Sequence, residues 1–315
     1  ATDKIAFYSG IIQLPRDTGN YNLKLLKENL DFKFSRPKQS SNNSISFGFN
    51  GELDNYKIKL VSKIDPSLKS RVIMGEAKDT LYYWYSSNVK LDSLQFEVRN
   101  NSLIDTLNLR LRNQDVDSLK IKALQNNYIS FLDSLQFQAN TPFEKIDKTK
   151  IKIINKDSLN VEFKTSLDTI KNIYSFQFEK QQEEDYNLKF LPGAFTDFYN
   201  ISNDTLDYSY KTKTYDDYGN LRLLLRNVEY PAIVQLTTKL GEVKYEKIIS
   251  VKGNIDFKHI TPSKYYVRVI FDVNKNNKFD PGNYLTKSFP ERVSHLNEEL
   301  DVRAGWDLVQ EFILK

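Results

Sequence analysis

The stretch FDVNKNNKFDPGNY, residues 271–284, puts Asp272, Asn274, Asn276 and Asp280 at the first, third, fifth and ninth positions of one loop. Side-chain oxygens at that spacing, with the Lys278 carbonyl at the seventh position, form the donor set of a hard cation, and calcium fits best. Two departures weaken the set: Asn277 stands at the sixth position, where such loops turn on Gly, and Asn283 at the twelfth, where they place a bidentate Glu. Two carboxylates then imply weak binding, roughly 10⁻⁴–10⁻³ M. The competing reading is a long hairpin tip whose Asn and Asp side chains bond their own backbone, closed by Pro281-Gly282. Either way the loop stiffens a hairpin. No cofactor is required, and structural calcium is the one candidate.

Other chemistry is sparse. With no cysteine there is no disulfide, thiolate nucleophile or thiolate metal site. His259 and His295 are the whole histidine content, too few for a multi-histidine zinc centre, and both read as surface or edge residues. There is no G-x-S-x-G elbow, P-loop or dinucleotide fingerprint. Carboxylates are plentiful, but none pairs at a spacing that singles out an acid and a base. No catalytic residue is assigned, and the expectation is a protein without enzymatic activity.

A short unit of Asp, Ser or Thr, then Leu or Ile recurs, with its hydroxyls at Thr80, Ser93, Thr106, Ser118, Ser134, Ser158, Thr169 and Thr205. Asp and Ser/Thr form local turns, and the aliphatic residue then opens a strand on its buried face.

The elements that must carry these residues are strands. Period-2 alternation marks residues 45–50, 56–63, 94–98, 107–112, 119–123, 159–163, 206–213, 243–250 and 265–271. Residues 145–156, KIDKTKIKIINK, read as one strand face, and only 21–32 has helix-like spacing, with a strand followed by a linker as its other reading. Short strands separated by turn signals predict an all-β chain of tandem antiparallel β-sandwiches. In LYYWYSS, residues 81–87, alternation makes one side aromatic around Tyr82 and Trp84. Exposed, that side would bind carbohydrate or protein; buried, it would be core. Trp306 has the same two readings, the plug of a sandwich end being the usual one.

At 315 residues with 40% apolar content there is material for several cores. Charge is nearly balanced, 45 basic against 41 acidic residues, with no basic block to suit nucleic acid. No apolar run approaches the roughly 18 residues of a membrane-spanning helix. Polar stretches divide the chain into 1–30, 31–125, 126–214 and 215–315. The start, ATDKIAFYSG, is already strand-like and reads as a mature or truncated form.

Two segments carry a family resemblance. YNLKFLPGAFTDFYNISNDTLDYSYKT (186–212) resembles the closing half of bacterial Ig-like domains of the S-layer type, and residues 215–315 resemble a transthyretin-like, collagen-adhesin B-type module. With LDVRAGWDLVQEFILK (300–315), the chain is similar to the C-terminal portion of an Ig-like-domain outer-membrane lipoprotein family of Flavobacteria-type Bacteroidota. The resemblance implies that 1–30 is the remnant of an upstream transthyretin-like module. It also implies a lipid anchor outside this chain, at the outer membrane, cell surface or periplasmic face. The Asp-Ser/Thr-Leu/Ile unit resembles the O-glycosylation acceptor of that phylum, which would make the eight hydroxyls above modification sites. The expected function is a non-enzymatic cell-envelope scaffold: an accessory subunit of an outer-membrane protein assembly, secretion or surface-lipoprotein export complex. Its partners would be β-barrel proteins or other lipoproteins; the alternative is a surface glycan-binding lipoprotein.

Overall fold

The structure, a computed structural model, describes residues 4–6, 25–27, 32–62, 68–86, 92–112, 118–282 and 287–314. Apart from 3₁₀ turns at Lys148–Lys150 and Tyr215–Asp217, the regular elements among them are strands, as the alternation predicts. Two compact units form, one from 31–214 and one from 1–30 with 215–315.

The 31–214 unit holds two sandwiches. In the first, Lys33–Phe34, Ser44–Asn50, Thr80–Ser86 and Lys69–Met74 make one sheet, with Lys38–Ser41 also paired to Ser44–Asn50. It faces the sheet Leu103–Arg110, Ser93–Asn100, Tyr56–Leu60. Alternate residues of facing strands meet inside, where Phe47 and Phe96 cross edge-to-face at 5.0 Å. In the second, Ile121–Ala123, Leu135–Ala139, Ile173–Gln177 and Lys164–Asp168 pack over Ile151–Ile154, Asp185–Phe190 and Leu206–Lys211. Phe137, Phe176, Phe190 and Phe195 are wholly buried between them.

Three local expectations are corrected. Ile121–Ala123, placed by composition at the end of the 31–125 segment, pairs with Leu135–Ala139 and so opens the second sandwich. Residues 159–163 alternate like a strand but make a single bridge, Asn160 to Ile154, and leave Leu159 61% exposed. That run only folds back over the hairpin turn at 155–158, where Asn155 and Leu159 bond. Residues 145–156 form two strands, because Asp147 accepts from the Thr149 N–H and hydroxyl and winds a 3₁₀ turn between them.

In the other unit, Ile255–Ile260, Gly219–Arg226 and Asp307–Ile313 form one sheet, and Val243–Ile249, Ala232–Thr237, Ser263–Phe271 and Val293–His295 the second. The pairing of Gly219–Arg226 with Asp307–Ile313 is parallel. Ala232–Thr237 is buried on both faces: its outward Gln235 lies under Glu246 and Arg268, to which its amide is hydrogen-bonded at 2.5 Å on each side. Gly219 is required, since a Cβ there would strike Val302 Cγ1 and the Arg303 carbonyl. Lys4–Ala6 pairs with Leu25–Lys27, so the centre of the helix-like 21–32 stretch is strand; the rest of that stretch, up to residue 31, lies outside the described residues.

Candidate interaction sites

The 272–280 loop leaves the buried end of Ser263–Phe271. Asp272, 1% exposed, accepts the Asn276 and Asn277 N–H groups at 3.0 Å each. Asn274 Oδ1 accepts from Asn276 N–H at 3.1 Å, and Asn276 Oδ1 from Lys278 N–H at 2.8 Å. Asp280 Oδ2 accepts both side-chain amides, at 2.5 Å from Asn274 and 2.8 Å from Asn276. Lys275 and Asn277 take φ of 62° and 61°, the left-handed turns that Gly would otherwise supply.

The loop therefore gathers Asp272, Asn274, Asn276 and Asp280, and adds a carboxylate that the twelfth-position rule missed. Glu291 Oε1 accepts Val273 N–H at 2.9 Å and its Oε2 accepts Asp280 N–H at 3.1 Å. Hairpin register would have found it: Phe271 N–H donates to the Arg292 carbonyl, so Glu291 stands opposite the loop's entry. All these oxygens are engaged by N–H donors. A cation would have to displace the Asn274 and Asn276 amides and turn their oxygens inward. Among the described residues no three His, Cys, Asp or Glu side chains are arranged to hold a metal.

One side of the aromatic strand is buried, and on the other Tyr82 is half-buried. Leu81, Tyr83 and Tyr85 enter the first core, while Trp84, 7% exposed, lies against Tyr199 of the second sandwich at 6.4 Å between rings. Tyr199 Oη donates to the Asn43 carbonyl at 3.3 Å, and Met74 N–H donates to the Ile170 carbonyl at 2.6 Å. Arg71 is central to this joint: Nη1 donates to the Phe143 carbonyl, Nη2 meets Glu144 Oε2 at 2.8 Å, and the guanidinium lies 5.9 Å from the Phe198 ring. Beside the joint is a cleft of about 720 Å³ lined by Met74, Tyr82, Trp84, Lys122, Gln138 and Lys171, with the Lys122–Glu76 pair at 2.6 Å on its wall.

Of the eight repeated hydroxyl residues, Ser93, Thr106, Ser118, Ser158, Thr169 and Thr205 are exposed, and Thr80 and Ser134 half-buried. All eight fall in the 31–214 unit. The turn chemistry is visible: Asp79 accepts the Thr80 hydroxyl at 2.9 Å, Asp105 the Thr106 N–H at 2.7 Å, and Asp168 the Ile170 and Lys171 N–H groups. Strand opening holds for Leu81, Leu94 and Leu135, which are buried, and fails for Leu159 and Ile170, which are exposed in turns.

His259 stacks on Tyr215 at 4.8 Å, and His295 lies exposed on Val293–His295. Trp306 plugs nothing: it is 58% exposed, with the Arg303 guanidinium 5.2 Å above its ring. The strongest internal pKa perturbations belong to structural groups. Burial raises the Tyr210 and Tyr265 hydroxyls, the latter also beside Tyr245, and lowers Lys180, whose ammonium donates to the Asp133 carbonyl at 2.5 Å.

The chain is thus an all-β protein of tandem β-sandwiches built mainly from antiparallel pairs. No protein-family model and no curated protein sequence matches it. Solved structures similar to parts of it include the Bacillus anthracis TIE protein, at 15% identity over 62% of this chain and 40% of that one, TM-score 0.21. Titin domains A168–A170 match at 10% identity over 87% and 99%, TM-score 0.22, and the BSP domain of a biofilm-associated protein at 9% over 93% and 67%, TM-score 0.23. At such scores the class stands on the strand pairing above.

Proposed function

We propose that the chain is a non-enzymatic scaffold of the cell envelope, Ig-like modules followed by a transthyretin-like module, held at the outer membrane by a lipid anchor outside this sequence. It serves as an accessory subunit of a complex for outer-membrane protein assembly, secretion or surface-lipoprotein export, with β-barrel proteins or other lipoproteins as partners. The observation that carries this reading is the joint at Arg71, where the first sandwich is bonded to Glu144 and packs Trp84 on Tyr199 of the second. Tandem modules joined by such contacts can hold partners at a spacing along the chain. The alternative, a surface glycan-binding lipoprotein, would use the cleft that Tyr82 and Trp84 line beside the joint.

Within this reading the hydroxyls of Thr80, Ser93, Thr106, Ser118, Ser134, Ser158, Thr169 and Thr205 carry O-glycans, and the 272–280 loop takes calcium weakly as a stiffener. The test is affinity purification of the full-length protein from its native membranes in mild detergent, followed by mass spectrometry. Stoichiometric recovery of a β-barrel protein or a second lipoprotein is expected; recovery of the protein alone overturns the scaffold reading.

A further inference from the structure

The 215–315 sandwich opens on the strand Gly219–Arg226 and closes on Asp307–Ile313, and these two strands are bonded to each other in parallel. The register runs from Asn220 opposite Asp307 to Arg226 opposite Ile313. Because the strands point the same way, the chain enters at one end of this ladder and leaves at the other. Tension along the chain therefore drives the strands to slide past each other, and the evenly spaced bonds of a parallel ladder resist together.

Both ends of the ladder are fastened. At the entry end Asn220 N–H donates to the Trp306 carbonyl at 2.9 Å, and Asn220 Nδ2 donates to Asp307 Oδ1 at 2.7 Å. At the exit end Leu314 N–H donates to the Arg226 carbonyl at 3.1 Å, and Arg226 Nε meets Glu311 Oε1 at 2.8 Å. Inward, Leu221, Leu223, Phe312 and Leu314 are buried, so sliding also exposes apolar surface.

The 31–214 unit is built otherwise. Among the described residues of its first sandwich, Lys33–Phe34 pairs with Ser44–Asn50, and Leu103–Arg110 pairs with Ser93–Asn100, but the opening and closing strands do not pair with each other. What ties the two ends there is the Gln39 amide, bonded to the Arg112 N–H and carbonyl at 2.8 Å each. In the second sandwich the corresponding parallel contact is a single bridge, Tyr128 beside Lys211. Its bonds run from Lys211 N–H to the Asn127 carbonyl at 2.7 Å and from Ile129 N–H to the Lys211 carbonyl at 3.0 Å.

We propose that Gly219–Arg226 and Asp307–Ile313 form a tension-bearing clamp, which makes 219–313 the last part of the chain to yield when its ends are pulled apart. This deepens the scaffold reading and rests on it, since a chain that links two envelope partners is stretched when they separate.

The chain has no cysteine, so cysteines added at its two ends take the handles of a single-molecule force measurement on the intact protein. The ladder is expected to yield last and at the highest force. Leu314 N–H faces Gly219–Arg226, so by alternation the Gln310 N–H faces it too and the Val309 N–H faces away. Gln310→Pro deletes one ladder bond and should speed unfolding at a given force roughly two- to tenfold, whereas Val309→Pro leaves the ladder whole. A second measurement leaves the ladder unaltered and moves one handle to Glu229→Cys, just past Arg226. Pulling between that handle and the C-terminal one opens the ladder from a single end, bond by bond, and should need a lower force; it decides alone if the proline variants misfold. Yielding before the 31–214 unit, equal effects of the two prolines, or one force for both pulling directions overturns the clamp. Each of those results leaves the scaffold standing, because the membrane purification tests that reading separately.

Discussion

Replacing Arg71 with Met removes the guanidinium but keeps an apolar stem in the joint. Lost are the charged bond to Glu144 at 2.8 Å and the bond to the Phe143 carbonyl. Hydrogen bonds to charged groups contribute about 1.5–3 kcal/mol, exposed ion pairs about 0–1. The two side chains retain 33% and 25% exposure, which places the pair between surface and interior. A coupling near 2 kcal/mol follows, about thirtyfold in the equilibrium for opening the joint. Trp84 is the natural reporter, because it packs on Tyr199 across that joint. In a Trp306→Phe background, urea unfolding followed by Trp84 emission would be measured for Arg71→Met, Glu144→Gln and the double variant. The cycle isolates the pair, and the single Arg71 variant is expected to move the Trp84 transition to lower urea. A cycle that closes to within about 0.3–0.5 kcal/mol, the ordinary error of additivity, refutes the claim that this pair fastens the sandwiches.

Alkaline pH should unfold the chain. Burial raises Tyr83, Tyr174, Tyr210 and Tyr265 above the ordinary 10.0, so the stability they add is complete below that pH and falls as pH climbs toward the raised values. The loss is about 1.4 kcal/mol per pH unit for each such tyrosine. Lys180, lowered by burial, has the opposite sign, its penalty relaxing as pH rises toward 10.5, and offsets one tyrosine at most. Tyrosinate absorbance rising in a single gradual step with no loss of β circular dichroism would contradict this. Gly219→Ala should destabilise the 215–315 unit by about 1–3 kcal/mol, because the new methyl meets Val302 and the Arg303 carbonyl; Trp306 emission during thermal unfolding measures it. Asp272→Ala strands the Asn276 and Asn277 N–H groups and should cost that unit about 1–3 kcal/mol. Millimolar calcium should raise the midpoint of the unaltered chain and leave this variant unmoved; equal response in both removes the loop as a calcium site.

Much of the architecture is written in local alternation. The runs at 45–50, 94–98 and 265–271 are strands because side chains alternate faces with a fixed period, so a buried face announces itself without knowledge of any partner. The loop at 272–280 was legible for a similar reason, since its side chains bond backbone only a few residues away. Pairing between distant segments was not. Residues 159–163 have the same alternation but no ladder, and Ala232–Thr237 hides its period because Glu246 and Arg268 cover its outer face. Glu291 reaches the loop only through hairpin register, and Trp84 is covered by Tyr199, more than a hundred residues further along. Sequence periodicity by itself determined which residues prefer apolar surroundings; tertiary structure alone decided which apolar face found a neighbour and which edge was left open, because those depend on segments that meet only after folding.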